Sequence, residues 1–282
     1  MPRVEGRTRS VSERIVESGG VRLAVEEVGE GTPVLLMHGL TATRRYVVMG
    51  SRALERSGHR VLAHDARGHG ASSPAPAPEE YGYDELAADA LSVLDDAGVE
   101  QAALAGASMG AHTALRIALE HPERVAGLVL VTPAYDPETH GDAVSLHRWD
   151  SLAAGLRGGG VEGFLEAYGE PEVPERWRET VVKVIRQRLS AHQHPGAVAD
   201  ALEAVPRSRP FENVDDLRSI DAPTVVVASR DEADPGHPYA VGEAYVAAIP
   251  DARLLSEVPG QSPLAWQGAQ LSKVIAEVAG RA

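Results

Sequence analysis

The stretch Gly106-Ala107-Ser108-Met109-Gly110 carries residue types that could perform nucleophilic chemistry on a carbonyl carbon. An apolar run typical of a buried strand precedes it at 101–105, and an apolar-striped run typical of a helix follows it at 111–119. A Gly-x-Ser-x-Gly sequence between a strand and a helix is the setting of a nucleophile elbow, where a sharp turn exposes the serine hydroxyl. The glycines allow the two backbones to approach closely. Ser108 is therefore the candidate nucleophile, and the Met109 N–H is a candidate donor to a developing oxyanion.

The elements that must position this serine alternate between strand-like and helix-like patterns. A hairpin is predicted first, with strands Ser12–Ser18 and Val21–Val28 around a glycine turn. Further strands are predicted at 33–37, 61–64, 101–105, 125–131, 224–228 and 252–257. Helices are predicted between them at 44–57, 83–96, 111–119, 240–248 and 271–279. This alternation predicts an α/β fold with a mostly parallel sheet and helices on both faces.

The rhythm of the sheet is interrupted between residues 136 and 221. That stretch shows only helical patterns, at 143–156, 161–168, 175–189 and 197–205. Because the insertion follows the nucleophile strand, it should cover the strand ends, where an open parallel sheet binds ligands. We expect a core domain of residues 1–135 and 222–282 and a helical cap of residues 136–221.

Composition limits the classes of function. The chain of 282 residues has no cysteine, which excludes disulfides, thiol catalysis and zinc–thiolate sites. A formal net charge of −14 argues against nucleic acid or an anionic membrane as partner. The N-terminal residues lack the apolar stretch of a signal peptide, and no apolar run reaches the length of about 18 residues that a membrane span needs. We therefore expect a cytoplasmic protein that acts on a small molecule and needs no cofactor.

Two further motifs accompany the serine: His38-Gly39, and Asp65-x-Arg67-Gly68-x-Gly70-x-Ser72. With the elbow, they resemble the α/β-hydrolase superfamily, in the branch with a helical cap after the sixth strand. The resemblance extends from about residue 12 to the C-terminus. It implies an oxyanion hole formed by the N–H groups of Leu40 and Met109. It also implies an acid after the seventh strand, where Asp231 stands, with Asp234 as the alternative.

The base departs from this family. A loop after the last strand normally supplies a histidine, but in the matching stretch, 258–266, Gln261 occupies that position. No histidine follows His237 in the chain. A glutamine has no titratable proton and cannot accept one from Ser108, although it can hydrogen-bond a substrate. Gln261 is therefore a candidate substrate-binding residue, and the usual triad cannot be assigned.

Three hypotheses follow from this gap. In the first, His237 is a displaced base, oriented by Asp231 or Asp234; the alternative role for His237 is that of a histidine at a helix entrance. In the second, the pocket serves a lyase-like or isomerase-like reaction, or only binds a ligand. In the third, Gln261 is an engineered replacement of a natural histidine.

Other polar residues have ordinary structural interpretations. His112 lies one helical turn after Ser108 and is more typical of a core histidine, while His38 is expected to brace loops. The pair His192 and His194 lacks a third ligand, so we predict no metal site. The insertion contains six arginines that could attract an anionic substrate, at positions 148, 157, 176, 178, 186 and 188. Their interleaving with glutamates favours a solvated, salt-bridged face.

The leading hypothesis is a serine hydrolase that acts on a small or medium uncharged ester, lactone, amide or related carbonyl compound. The alternatives are a ligand-binding protein and a non-hydrolytic lyase or isomerase. The sequence specifies neither the substrate, which depends on the shape of the pocket, nor the oligomeric state.

Overall fold

A computed structural model describes residues 11–230 and 234–281. Eight strands form one sheet in the order β1-β2-β4-β3-β5-β6-β7-β8. The strands are β1 (Ser12–Ser18), β2 (Val21–Val28), β3 (Thr32–Met37), β4 (His59–His64), β5 (Ala102–Ala107), β6 (Val125–Val131), β7 (Thr224–Val227) and β8 (Ala252–Leu255). The first two strands are antiparallel, and all pairs from β4 to β8 are parallel. The α/β-hydrolase fold expected from the resemblance is thus confirmed.

Eight α-helices accompany the sheet in the described part of the chain. They are α1 (Ala53–Arg56), α2 (Tyr83–Asp96), α3 (Met109–Glu120), α4 (Ala143–Tyr168), α5 (Glu175–Leu189), α6 (Pro195–Ala204), α7 (Tyr239–Ala248) and α8 (Gly268–Ala279). Short 3₁₀ turns occur at Tyr46–Val48, Pro122–Arg124, Val205–Arg207, Val214–Ser219 and Leu264–Trp266. None of the helices among these residues has the length and apolar character to cross a membrane.

The central strands are buried on both faces, which explains their continuous apolar runs. Because successive side chains of a strand point to opposite faces, β3 divides its residues between two cores. Leu35 and Met37 join the core formed with α2, α3 and α7. Val34 and Leu36 join the core formed with α8. Helices therefore cover both faces of the sheet, and only its edges remain for a ligand.

Most predicted elements occur within a few residues of their expected positions, but the helix predicted at 44–57 is wrong. The structure has the 3₁₀ turn Tyr46–Val48 and the four-residue helix α1 there instead. Met49 and Gly50 separate them with left-handed φ angles of 47° and 71°. A continuous helix cannot contain such residues, because right-handed helical φ is negative.

The segment between β6 and β7 contains α4, α5 and α6 and no strand. We call this segment the cap; its boundaries as a separate domain, 136–221, stay a prediction. The two helices predicted at 143–156 and 161–168 form α4, which breaks at Gly160, where φ is 61° and ψ is −144°. An apolar cluster joins the cap to Leu40 and Met109 of the core, so the cap lies over the carboxyl ends of the central strands.

Candidate active site

Ser108 lies between the end of β5 and the start of α3, with φ of 49° and ψ of −113°. Such a backbone conformation costs a non-glycine residue about 1–3 kcal/mol, and it persists only where the surroundings enforce it. Two glycines allow the neighbouring backbone segments to approach closely enough to hold Ser108 in this conformation. A Cβ on Gly106 would come within 2.1 Å of the Gly110 carbonyl oxygen, and one on Gly110 within 2.1 Å of the Met37 carbonyl oxygen. The serine is half-buried, at the carboxyl edge of a central strand.

Two backbone N–H groups border this serine. Gly39 lies against it, because a Cβ on Gly39 would stand 3.6 Å from the Ser108 Cβ. The next amide, that of Leu40, has no protein acceptor among the described residues, and neither has the amide of Met109 at the start of α3. Free donors next to a serine hydroxyl are what an oxyanion hole requires. Leu40 and Met109 therefore stay the candidate donors.

His38 fixes the orientation of one of these amides. Its Nδ1 donates to the Gly39 carbonyl oxygen at 2.8 Å, and its Nε2 accepts the Ala66 N–H at 2.9 Å. In a trans peptide the N–H points opposite to the C=O. By binding the Gly39 carbonyl oxygen, the ring therefore directs the Leu40 N–H away from itself. Burial lowers the pKa of His38 well below its ordinary value, which keeps the ring neutral.

His237 forms a pair with Asp234 in the segment between β7 and α7. The His237 Nδ1 lies 2.8 Å from the Asp234 Oδ1, and both side chains are half-buried. Burial favours the neutral acid, but the charge of His237 and this hydrogen bond lower the pKa of Asp234. Asp231, the acid predicted first, lies outside the described residues. The contact that the structure describes is that of His237 with the alternative acid, Asp234.

His112 is buried one turn after Ser108 and belongs to the core. Its Nε2 accepts the N–H groups of Ala134 and Tyr135, each at 3.1 Å, so the proton resides on Nδ1, which lies 3.0 Å from the Tyr83 hydroxyl. Burial, and then the nearby charge of His237, lowers its pKa to about 3. His112 is therefore a neutral structural residue, as predicted.

Gln261 is exposed in the loop after β8. Its N–H donates to the Val258 carbonyl oxygen at 3.0 Å, and its side chain makes no hydrogen bond to the described residues. The hydroxyl of Ser108 likewise has no hydrogen-bond partner among them. Among the described residues, neither Gln261 nor His237 therefore forms a hydrogen bond to the serine hydroxyl, and the substrate-binding role of Gln261 stays a prediction.

The sequence interpretation missed Glu257, which holds the same loop. This carboxylate is 6% exposed and accepts hydrogen bonds from the Ser229 hydroxyl at 2.9 Å, the Leu264 N–H at 3.2 Å and the Arg230 N–H. It joins the end of β7 to the loop after β8, and so supports both segments that approach the site. The available signal was an acid at the end of the predicted strand 252–257, next to the loop 258–266.

His192 forms hydrogen bonds between the cap and the core. His192 accepts the Gly70 N–H at 2.9 Å through Nδ1 and contacts the Thr41 carbonyl oxygen at 3.1 Å through Nε2. These contacts anchor the cap to the loop that carries Leu40. Within 11–230 and 234–281, no three His, Cys, Asp or Glu side chains are arranged to hold a metal ion.

Comparison with known proteins agrees with this architecture. Residues 32–173 match the family model described as alpha/beta hydrolase fold. A protein of Variovorax paradoxus with the name "Putative carbamate hydrolase RutD" is 32% identical over 205 residues, which cover 72% of this chain and 75% of that protein.

Solved structures are similar over nearly the whole chain. A thermophilic esterase from Thermogutta terrifontis, solved with malate bound, has a TM-score of 0.76 at 26% identity, covering 94% of this chain and 97% of that one. Est816, described as an N-acyl homoserine lactone degrading enzyme, has a TM-score of 0.73 at 26% identity, covering 95% and 99%.

Proposed function

The chain belongs to the α/β-hydrolase family, and we propose that it is a serine hydrolase of a small or medium-sized ester, lactone, amide or related carbonyl compound. The observation that carries this proposal is the enforced left-handed φ of 49° at Ser108, beside two amides that have no acceptor among the described residues. A strained serine at the end of a central strand is expected where its hydroxyl must be presented to a substrate. The names of the similar proteins, a putative carbamate hydrolase, an esterase and an N-acyl homoserine lactone degrading enzyme, support the same class of carbonyl substrate.

In the proposed mechanism, the Ser108 hydroxyl oxygen attacks the carbonyl carbon of the substrate. The Leu40 and Met109 N–H groups stabilise the negative charge that develops on the carbonyl oxygen. His237 accepts the serine proton through its Nε2, directly or through one water, and returns it to the leaving group. Asp234 holds the opposite nitrogen of the ring and stabilises the imidazolium. Water then attacks the acyl carbon. His237 accepts a proton from this water and returns a proton to the Ser108 oxygen, which leaves as the acid product is released.

One observation favours a second candidate. The Ser108 hydroxyl has no hydrogen-bond partner among the described residues. The same site could therefore bind a carbonyl ligand, or turn it over by a lyase or isomerase reaction, without forming an acyl-enzyme. The two candidates differ in whether Ser108 becomes covalently attached to the substrate.

The turnover of p-nitrophenyl butyrate separates these candidates. We expect wild-type activity above the no-enzyme rate, no activity above that rate in Ser108→Ala, and a kcat about 10²–10⁴-fold lower in His237→Asn, because a general base contributes about that factor. His121→Asn is the matched control, since this histidine is exposed at the end of α3, and it should retain wild-type kcat. Full activity in His237→Asn would refute the role of His237, and full activity in Ser108→Ala would refute the whole mechanism.

A further inference from the structure

Among the six cap arginines named above, one half-buried guanidinium stands apart. Arg157, Arg178 and Arg186 form ion pairs with glutamates on the cap surface. Arg148 and Arg176 have no such partner, but both are exposed to solvent. Arg188 is half-buried, forms no ion pair with any described acid, and its Nε is shielded from solvent without an acceptor. A charge withdrawn from water without a partner is costly, which favours a missing anionic partner.

The position of Arg188 is fixed beside the candidate oxyanion hole. Arg188 lies in the last turn of α5, and its guanidinium carbon stands 4.4 Å from the centre of the Tyr46 ring. Tyr46 belongs to the loop that leaves β3 and carries Leu40. One turn beyond Arg188, His192 binds the Thr41 carbonyl oxygen and the Gly70 N–H. The end of α5 is therefore tied to the residues next to Leu40.

The charge of Arg188 also acts on the segment that follows β7. Burial alone would raise the pKa of Asp234, but His237 and the positive charge of Arg188 together lower it. Strands β3 and β7 lie on either side of β5 and β6 in the sheet. Arg188 therefore contacts the loop after β3 that carries Leu40, and its charge acts on the acid after β7 that holds His237.

We propose that Arg188 forms a carboxylate-binding subsite, so that the substrate is an ester-type compound with a second, anionic end. This inference rests on the proposed function for the hydrolysis reaction, and on Arg188 for the preference for an anionic substrate. A guanidinium that stacks one face on an aromatic ring keeps the N–H groups at its edge free, and these match a carboxylate in a bidentate geometry. The excess of acidic residues in the chain repels anions at long range. Recognition of an anionic substrate therefore needs a fixed cation beside the candidate site.

The test compares two esters that differ only in charge: p-nitrophenyl hydrogen glutarate, and the same compound with its free acid converted to a methyl ester. The wild type should have the higher kcat/KM for the anionic ester. In Arg188→Met, kcat/KM for the anionic ester should fall about 10–100-fold, mainly through a higher KM. The loss of a hydrogen bond to a charged group weakens binding by about this factor. The neutral ester should change less than about 3-fold. Arg186→Met, two residues away and paired with Glu162 on the cap surface, should leave both rates unchanged.

Equal losses for both esters in Arg188→Met would overturn the subsite and assign Arg188 to the support of Asp234. Absence of a wild-type preference for the anionic ester would overturn it as well. A binding measurement keeps this test separate from the reaction. Glutarate should bind to Ser108→Ala in isothermal titration calorimetry and should bind at least about 10-fold more weakly when Arg188→Met is added. If no ester is hydrolysed but glutarate binds in this manner, the reaction is refuted and the subsite is upheld; equal binding to both variants refutes the subsite.

Discussion

Acidification from pH 7 to pH 5 should destabilise the fold by about 2 kcal/mol through His112 alone. This ring is 4% exposed, and its Nε2 accepts two backbone N–H groups, so only the neutral form fits. Burial first, and the charge of His237 second, lowers its pKa to about 3 from an ordinary value of 6.5. Because the pKa in the folded state is the lower one, the unfolded chain binds the proton more readily between pH 6.5 and 3. The stabilisation is therefore complete above pH 6.5 and is lost as the pH falls, at about 1.36 kcal/mol per pH unit.

Urea unfolding at pH 7 and pH 5, followed by circular dichroism, measures this effect. In His112→Gln the amide oxygen can still accept the two N–H groups, but the group that titrates is gone. The difference in unfolding free energy between the two pH values should then be smaller than in the wild type by about 2 kcal/mol. His121→Gln, an exposed histidine at the end of the same helix, should leave the difference unchanged. An identical pH dependence in His112→Gln and the wild type would refute the buried neutral state of His112.

Three other substitutions test the scaffold and the site. Gly110→Ala should lower the unfolding free energy in urea by about 3 kcal/mol or more, because its Cβ would stand 2.1 Å from the Met37 carbonyl oxygen; an unchanged value would contradict the described elbow. Asp89→Ala should lower the same quantity by about 3–5 kcal/mol, since it leaves the guanidinium of Arg67 buried without its partner at 2.8 Å; a loss below about 1 kcal/mol would mean that water reaches the pair. Gln261→His should change kcat/KM for p-nitrophenyl butyrate less than about 3-fold because position 261 is exposed, whereas a gain of roughly 10²-fold would show that this loop reaches Ser108.

The parts of the fold that local sequence determines were predictable. The hairpin formed by β1 and β2 and the helix α2 occur with the predicted bounds, since a glycine turn and a continuous apolar stripe specify them locally. The helix predicted at 44–57 failed because left-handed φ at Met49 is a tertiary choice that helical periodicity does not reveal. Two helices were predicted at 143–156 and 161–168, and the structure contains a break between them at Gly160.

The candidate site was predictable only in part, for a related reason. Motifs identified Ser108, because the elbow is encoded in five consecutive residues. Contacts between distant segments left no local pattern. The hydrogen bonds of Glu257 to residues after β7 span about 28 positions. Arg188, in the cap, contacts the ring of Tyr46, which lies far earlier in the chain, in the loop after β3. Among arginines that alternate with glutamates, only the folded chain distinguishes Arg188, which is half-buried and has no ion pair with a described acid.

Covalent labelling of Ser108 tests the central claim most directly. The folded protein is incubated with a fluorophosphonate, and intact-mass and peptide mass spectrometry locate the adduct. We expect one adduct per chain, on the peptide that contains Ser108, no adduct in Ser108→Ala, and labelling about 10²–10⁴-fold slower in His237→Asn. A folded wild-type protein that remains unlabelled after long incubation, or that carries the adduct on another residue, would contradict the assignment of Ser108 as the nucleophile.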